Sequence, residues 1–160
     1  MNIEFLKYLQ DNPAAKPGNI EYEGRIEPLS LSEIQQLEAI YNNGNIFPKA
    51  LRELLFLAGK RCYVLTYNIF ENQHELQEEP RLWLQENNKI INRPFYVIEA
   101  RNIEESFLFV YLDEGDDPVV RQAYLFDRSD MQFISSLLGK KLSQLIKYRI
   151  DIKKEGYNPF

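Results

Sequence analysis

The sequence predicts an α+β domain in which a central mixed or antiparallel sheet is flanked by helices. Two observations carry that prediction. Apolar residues recur at helical spacing through the N-terminal half and again near the C-terminus, and three runs rich in aromatic and β-branched residues, 95–98, 106–112 and 119–126, lie between them. In the middle run both alternate sets are apolar, Phe107, Phe109 and Tyr111 against Leu108, Val110 and Leu112, so both faces of that strand need covering layers.

The elements follow in order. Ile3, Leu6 and Leu9 predict a short amphipathic helix within 2–11. Pro13, Pro17, Gly18, Gly24 and Pro28 then punctuate an irregular stretch with a short strand near 20–26, so 1–28 is read as an N-terminal extension and 29–160 as the domain. Ser30 followed by Glu33 forms a capping box, and Ile34, Leu37 and Ile40 continue that helix until Asn42, Asn43 and Gly44 stop it. Pro48 opens a second helix with Leu51, Leu54, Leu55 and Ala58 as its buried stripe and Gly59 as its C-terminal cap. Residues 62–67 read as the first core strand, and 74–87 as a helix that Pro80 either restarts or kinks. The run from Asp113 to Pro118 is a turn joining two strands into an antiparallel hairpin. Ser129 with Gln132 forms a further capping box, and Ile134, Leu137, Leu138, Leu142, Leu145 and Ile146 continue as helix, which Gly139 is able to divide in two. Ile34, Leu37, Leu51, Leu54 and Leu55 are expected to meet Phe107, Phe109, Tyr111, Ile134, Leu137 and Leu138 in one core.

The chemical inventory is thin. With one cysteine, Cys62, no intrachain disulfide or Cys-based zinc cage is available, and with one histidine, His74, a nucleophile–base–carboxylate set has a single possible base; no metal, cofactor or catalytic residue is nominated. Cys62 reads as a buried, inert thiol, and His74 as a surface residue among Glu71, Glu75, Glu78 and Glu79. Seven glycines scattered singly do not make a phosphate-cradling loop. Placing Gly115 sixth in a calcium loop would put Val110, Leu112 and Arg121 where carboxylates are needed, which excludes an EF-hand. The longest apolar run, 107–112, is too short to span a membrane, so a cytoplasmic protein is expected.

Charge says more. The 160 residues carry a net charge of −5, a field that repels nucleic acid and attracts cationic partners. Residues 99–117 hold seven carboxylates against Arg101 alone, whereas 140–155 hold six basic residues against Asp151 and Glu155. Glu104, Glu105, Asp113, Glu114, Asp116 and Asp117 are therefore the candidate partner-binding residues, with Tyr63 and Tyr67 as aromatic anchors on a sheet face. The competing reading of the acidic run is a solvated hairpin tip that keeps a sheet edge from aggregating.

Two segments resemble the SUKH superfamily, which unites a yeast cell-wall synthesis regulator with many bacterial toxin-immunity proteins. Residues 34–60 are similar to its helix, hydrophobic-Pro step and glycine-closed helix through Ile34, Leu37, Glu38, Phe47, Pro48, Leu51, Leu54, Leu55 and Gly59. Residues 93–123 are similar to its paired strands with an acidic turn, and with the C-terminal helix the likeness covers about residues 30–150. The resemblance implies a non-enzymatic binding fold with a protein partner. An immunity protein covering a basic, secreted toxin is the expectation, and an intracellular scaffold or regulator without a toxin is the alternative.

Overall fold

The computed structural model describes residues 1–16, 24–67, 70–101, 105–127 and 130–160, without the side chains of Arg101 and Leu138. Five helices and four strands follow one another as α1 (Lys7–Asp11), α2 (Leu31–Tyr41), α3 (Lys49–Ala58), α4 (Gln73–Glu86), β1 (Phe95–Arg101), β2 (Ser106–Tyr111), β3 (Val119–Tyr124), β4 (Ile134–Lys141) and α5 (Leu142–Lys154). The strands form an antiparallel sheet in the order β1-β2-β3-β4. This is the expected α+β class.

Every residue of β2 is buried, and its alternate residues enter two different cores. Leu108, Val110 and Leu112 pack with α2, α3 and α5, whereas Phe107, Phe109 and Tyr111 pack with Leu76, Trp83 and Leu84 of α4. The single core expected from sequence is thus two, divided by the sheet, because period-two alternation sends neighbours to opposite faces. Leu54 lies in the larger core at 1% exposure. Leu54→Ala is expected to destabilise the fold by about 2–5 kcal/mol, the range for a leucine that leaves a cavity, measured by urea unfolding. A loss below about 0.5 kcal/mol would place Leu54 at the surface.

The capping box of α2 forms as predicted: the Glu33 N–H donates to Ser30 Oγ at 3.3 Å and the Ser30 N–H to Glu33 Oε2 at 2.7 Å. Pro48 is the N-cap of α3 and the helix begins at Lys49. Gly59 ends α3 in a right-handed conformation, so conformational freedom is not its role. A Cβ there would lie 2.5 Å from the Leu55 carbonyl oxygen and 2.6 Å from Leu29 Cδ1, so only glycine lets Leu29 pack against the helix end. The terminal carbonyls of α3 are met from outside: Tyr67 Oη donates to Ala58 O and Gln73 Nε2 to Gly59 O.

Three expectations are corrected. Residues 62–65 are buried and 66–67 half-buried, and the segment forms turns rather than a strand; the neighbouring Arg61 forms a bridge with Glu27. Pro80 does not restart the helix: α4 runs through it as one element. In the turn the proline disturbs, Arg81 Nη1 donates to Gln77 O at 2.7 Å. Residues 134–141 are strand β4 rather than helix, and α5 begins only at Leu142. Apolar residues three and four apart suit a helix and an irregular strand alike here, because the single residue of β3 between Val119 and Arg121 faces four of β4 between Lys141 and Ser136. Gly139, at φ +66°, supplies the left-handed turn that this bulge needs. Ser129, and 20–23 of the expected 20–26 strand, lie outside the described residues; Arg25 forms a bridge with Ala14.

α4 closes the outer edge of the sheet. Gln77 presents its amide to β1 as a strand would, donating to Val97 O and accepting from Val97 N, both at 2.8 Å, and Arg81 Nη2 donates to Phe95 O. Main-chain groups that would invite another strand are thereby occupied.

Candidate protein-binding surface

The acidic hairpin, the strongest candidate from sequence, is wired into the fold. Arg121 grips Glu114 with both terminal nitrogens at 2.6 and 2.8 Å. Arg93 donates to both oxygens of Asp113 at 3.1 and 2.5 Å and reaches Glu114 at 3.3 Å. Both guanidinium groups lie over the Tyr111 ring, 3.9 and 4.6 Å from its centroid. The Arg93 guanidinium holds the Asp113 carboxyl below its ordinary range. A depressed folded value means that this pairing is kept above the ordinary carboxylate range and is lost as pH falls through the depressed one.

The same loop caps two helices. Asp117 accepts from Ser143 N at 3.1 Å and Ser143 Oγ at 2.6 Å in the first turn of α5, and Pro118 O accepts from Leu142 N. Asp116 O accepts from Ala50 N in the first turn of α3. The Asp117 carboxylate thus meets an orphan N–H and the positive end of the α5 dipole, which accounts for that acidic residue without a partner, whereas Asp116 meets α3 through its main-chain carbonyl alone. Asp113 and Asp116 remain exposed, whereas Glu114 and Asp117 are half-buried.

The remaining candidates are scattered. Glu105 accepts from Tyr124 Oη at 3.2 Å, and Glu104 lies outside the described residues. Tyr63 and Tyr67 are not on a sheet face: their segment is not a strand, Tyr63 is buried with its hydroxyl donated to Asn12 O, and Tyr67 is half-buried with its hydroxyl on Ala58 O. Burial pushes the Cys62 thiol up to about 12, as expected of an inert cysteine. His74 is exposed on α4, its Nδ1 2.6 Å from Tyr41 Oη. The phenol donates its single proton to Glu78 at 2.8 Å, so His74 Nδ1 is the donor to the phenol oxygen.

The charged pair that sequence reasoning missed joins its two poles. Glu99, from the acidic segment, and Arg149, from the basic one, are 0% and 2% exposed and form a two-pronged ion pair, with Arg149 Nη2 donating to Glu99 Oε1 at 3.0 Å. Arg149 Nη1 also donates to Val64 O, and Thr66 N donates to Glu99 Oε2. A bulge in β1 makes the meeting possible: the register shifts between Val97 and Glu99, turning Glu99 to the α5 side of the sheet. Without it Glu99 would face the aromatic core on the α4 side.

Once these internal partners are counted, the exposed charge has two poles. Glu71, Glu78, Glu79 and Glu86 lie on or beside the outer face of α4, whereas Lys141, Lys147 and Lys154 are exposed on or beside α5. Among the described residues no group of three histidine, cysteine or carboxylate side chains could hold a metal, and no helix is long and apolar enough to cross a membrane. Comparison with protein-family models, curated proteins and solved structures gives no match.

Proposed function

We propose that this chain is a non-enzymatic protein-binding module, an immunity protein that covers a cationic, secreted toxin. One observation carries the reading: the hairpin tip is braced by Arg93, Arg121 and Tyr111 and capped onto α3 and α5, yet it projects the carboxylates of Asp113 and Asp116 into solvent. Charges held in a fixed geometry steer a complementary partner and lose little freedom on docking. The net charge of −5 acts in the same direction. The resemblance of residues 34–60 and 93–123 to SUKH proteins supports a binding role as well.

The test must spare the Glu114–Arg121 pair and the Asp117 cap, and gives up only the exposed Arg93–Asp113 pair, which contributes little to stability. Neutralising Glu114 or Asp117 would damage the fold, since loss of a helix cap alone costs about 0.5–2 kcal/mol. The informative variant is Asp113→Asn with Asp116→Asn, checked for thermal unfolding within about 2 °C of wild type. With a partner captured from native extract at low salt, the variant is expected to slow association about tenfold and flatten its salt dependence, leaving dissociation nearly unchanged. Wild-type association rates at low and high salt would remove the tip from the interface. A toxin-like reading frame beside the gene separates the immunity reading from that of a scaffold without a toxin.

A further inference from the structure

A second surface is built for a different ligand. At the end of α5 a cleft of about 590 Å³ is lined by Lys16, Lys153, Lys154, Asn158, Tyr157 and Phe160, with Ala15 and Gly156 between them. Its volume falls in the range of small-ligand sites. Among the described residues that line it none is acidic, although the chain as a whole carries −5. Two separate stretches of chain bring lysines to its walls: Lys153 and Lys154 from the last turn of α5, and Lys16 from the segment held by the Ala14–Arg25 bridge and the hydrogen bond from Ala15 N to Gly24 O.

The helix end explains only part of this. Gly156, at φ +87°, donates to Lys153 O, and Tyr157 N donates to Ile152 O, so a Schellman turn already satisfies the last carbonyls of α5. Lysines in the last turn suit the helix dipole. The dipole does not account for Lys16, which belongs to another part of the chain. Nor does it account for the aromatic walls, since Tyr157 is 67% and Phe160 48% exposed. A cleft lined by lysines and exposed aromatic rings suits a ligand with a phosphate at one end and a flat ring at the other.

We propose that this cleft binds a nucleoside phosphate, with Lys16 and Lys153 on the phosphates and Tyr157 against the base. Lys154 Nζ lies 3.0 Å from Tyr8 Oη, which leaves it a weaker phosphate contact. The site is independent of the hairpin tip, so its success or failure leaves the binding-module reading untouched.

Titration of the full chain with ADP, inorganic phosphate and adenosine, followed by calorimetry and amide chemical shifts, tests the proposal. ADP is expected to saturate below about 1 mM, with shifts at Lys153, Gly156 and Tyr157, and to bind at least tenfold tighter than phosphate or adenosine. Its affinity should fall with added salt, as phosphate contacts to lysines require. Lys16→Ala with Lys153→Ala should weaken ADP tenfold or more with only a small fall in unfolding temperature from the lost dipole contact of Lys153, and Tyr157→Ala severalfold. Three results would each overturn the proposal: no saturation by ADP at about ten times that concentration, wild-type affinity in the double lysine variant, or phosphate binding as tightly as ADP.

Discussion

Replacing Arg149 by methionine is expected to destabilise the protein by about 3–5 kcal/mol, because the change removes one member of a buried ion pair and leaves Glu99 charged and uncompensated. For a chain of this length that corresponds to a fall of roughly 10 °C in unfolding temperature. Glu99→Leu should cost a comparable amount, since Arg149 then keeps its charge without a counter-ion. The double variant, Arg149→Met with Glu99→Leu, should recover much of the loss, because both desolvated charges leave together. Recovery will be incomplete: the Val64 carbonyl and the Thr66 N–H each lose the partner that the pair supplied. Urea unfolding of the four proteins closes the cycle. Additive losses in the double variant would show that the two side chains act separately.

That pair also shows where the sequence stops being legible. Local signals carried most elements: the Ser30–Glu33 capping box, the stripe of α3 and the doubly apolar β2 are short-range patterns with short-range causes. What failed depended on distant partners. Glu99 sits in a run of carboxylates and Arg149 in a run of lysines, and each reads as surface until the β1 bulge turns one toward the other. Residues 134–141 have helical spacing, yet they pair with β3 across a bulge that no local pattern announces. The acidic turn was legible as a turn but not as a cap, because Ser143 and Ala50 are brought to it only by the fold. Its local charge of seven carboxylates against one arginine ignored Arg93 and Arg121, which lie just outside that window and neutralise much of it in space.

Glu53 offers the second large effect. It sits between Leu51 and Leu54 and is fully buried in α3, where its carboxylate accepts the N–H groups of Glu4, Phe5 and Leu6, each at 2.8 Å. Three main-chain donors converging on one carboxylate form charge-assisted bonds, each stronger than a neutral one. They fasten the start of the chain, whose Ile3, Leu6 and Leu9 belong to the larger core, so the N-terminal residues are structurally part of that core. Glu53→Ala should therefore cost about 4 kcal/mol, combining a small cavity, three orphaned donors and loosened packing of the first helix. Glu53→Gln should cost less, about 2 kcal/mol, because one amide oxygen still accepts while the amide nitrogen faces a donor. Stability alone does not identify the anchor, since any buried substitution lowers it. Hydrogen exchange does: in Glu53→Ala the amides of Glu4, Phe5 and Leu6 should lose protection well before those of β2, opening as a local unit ahead of global unfolding. If those three amides stay as protected as in wild type, the carboxylate does not hold the segment, and the packing of Leu6 and Leu9 alone would have to do so.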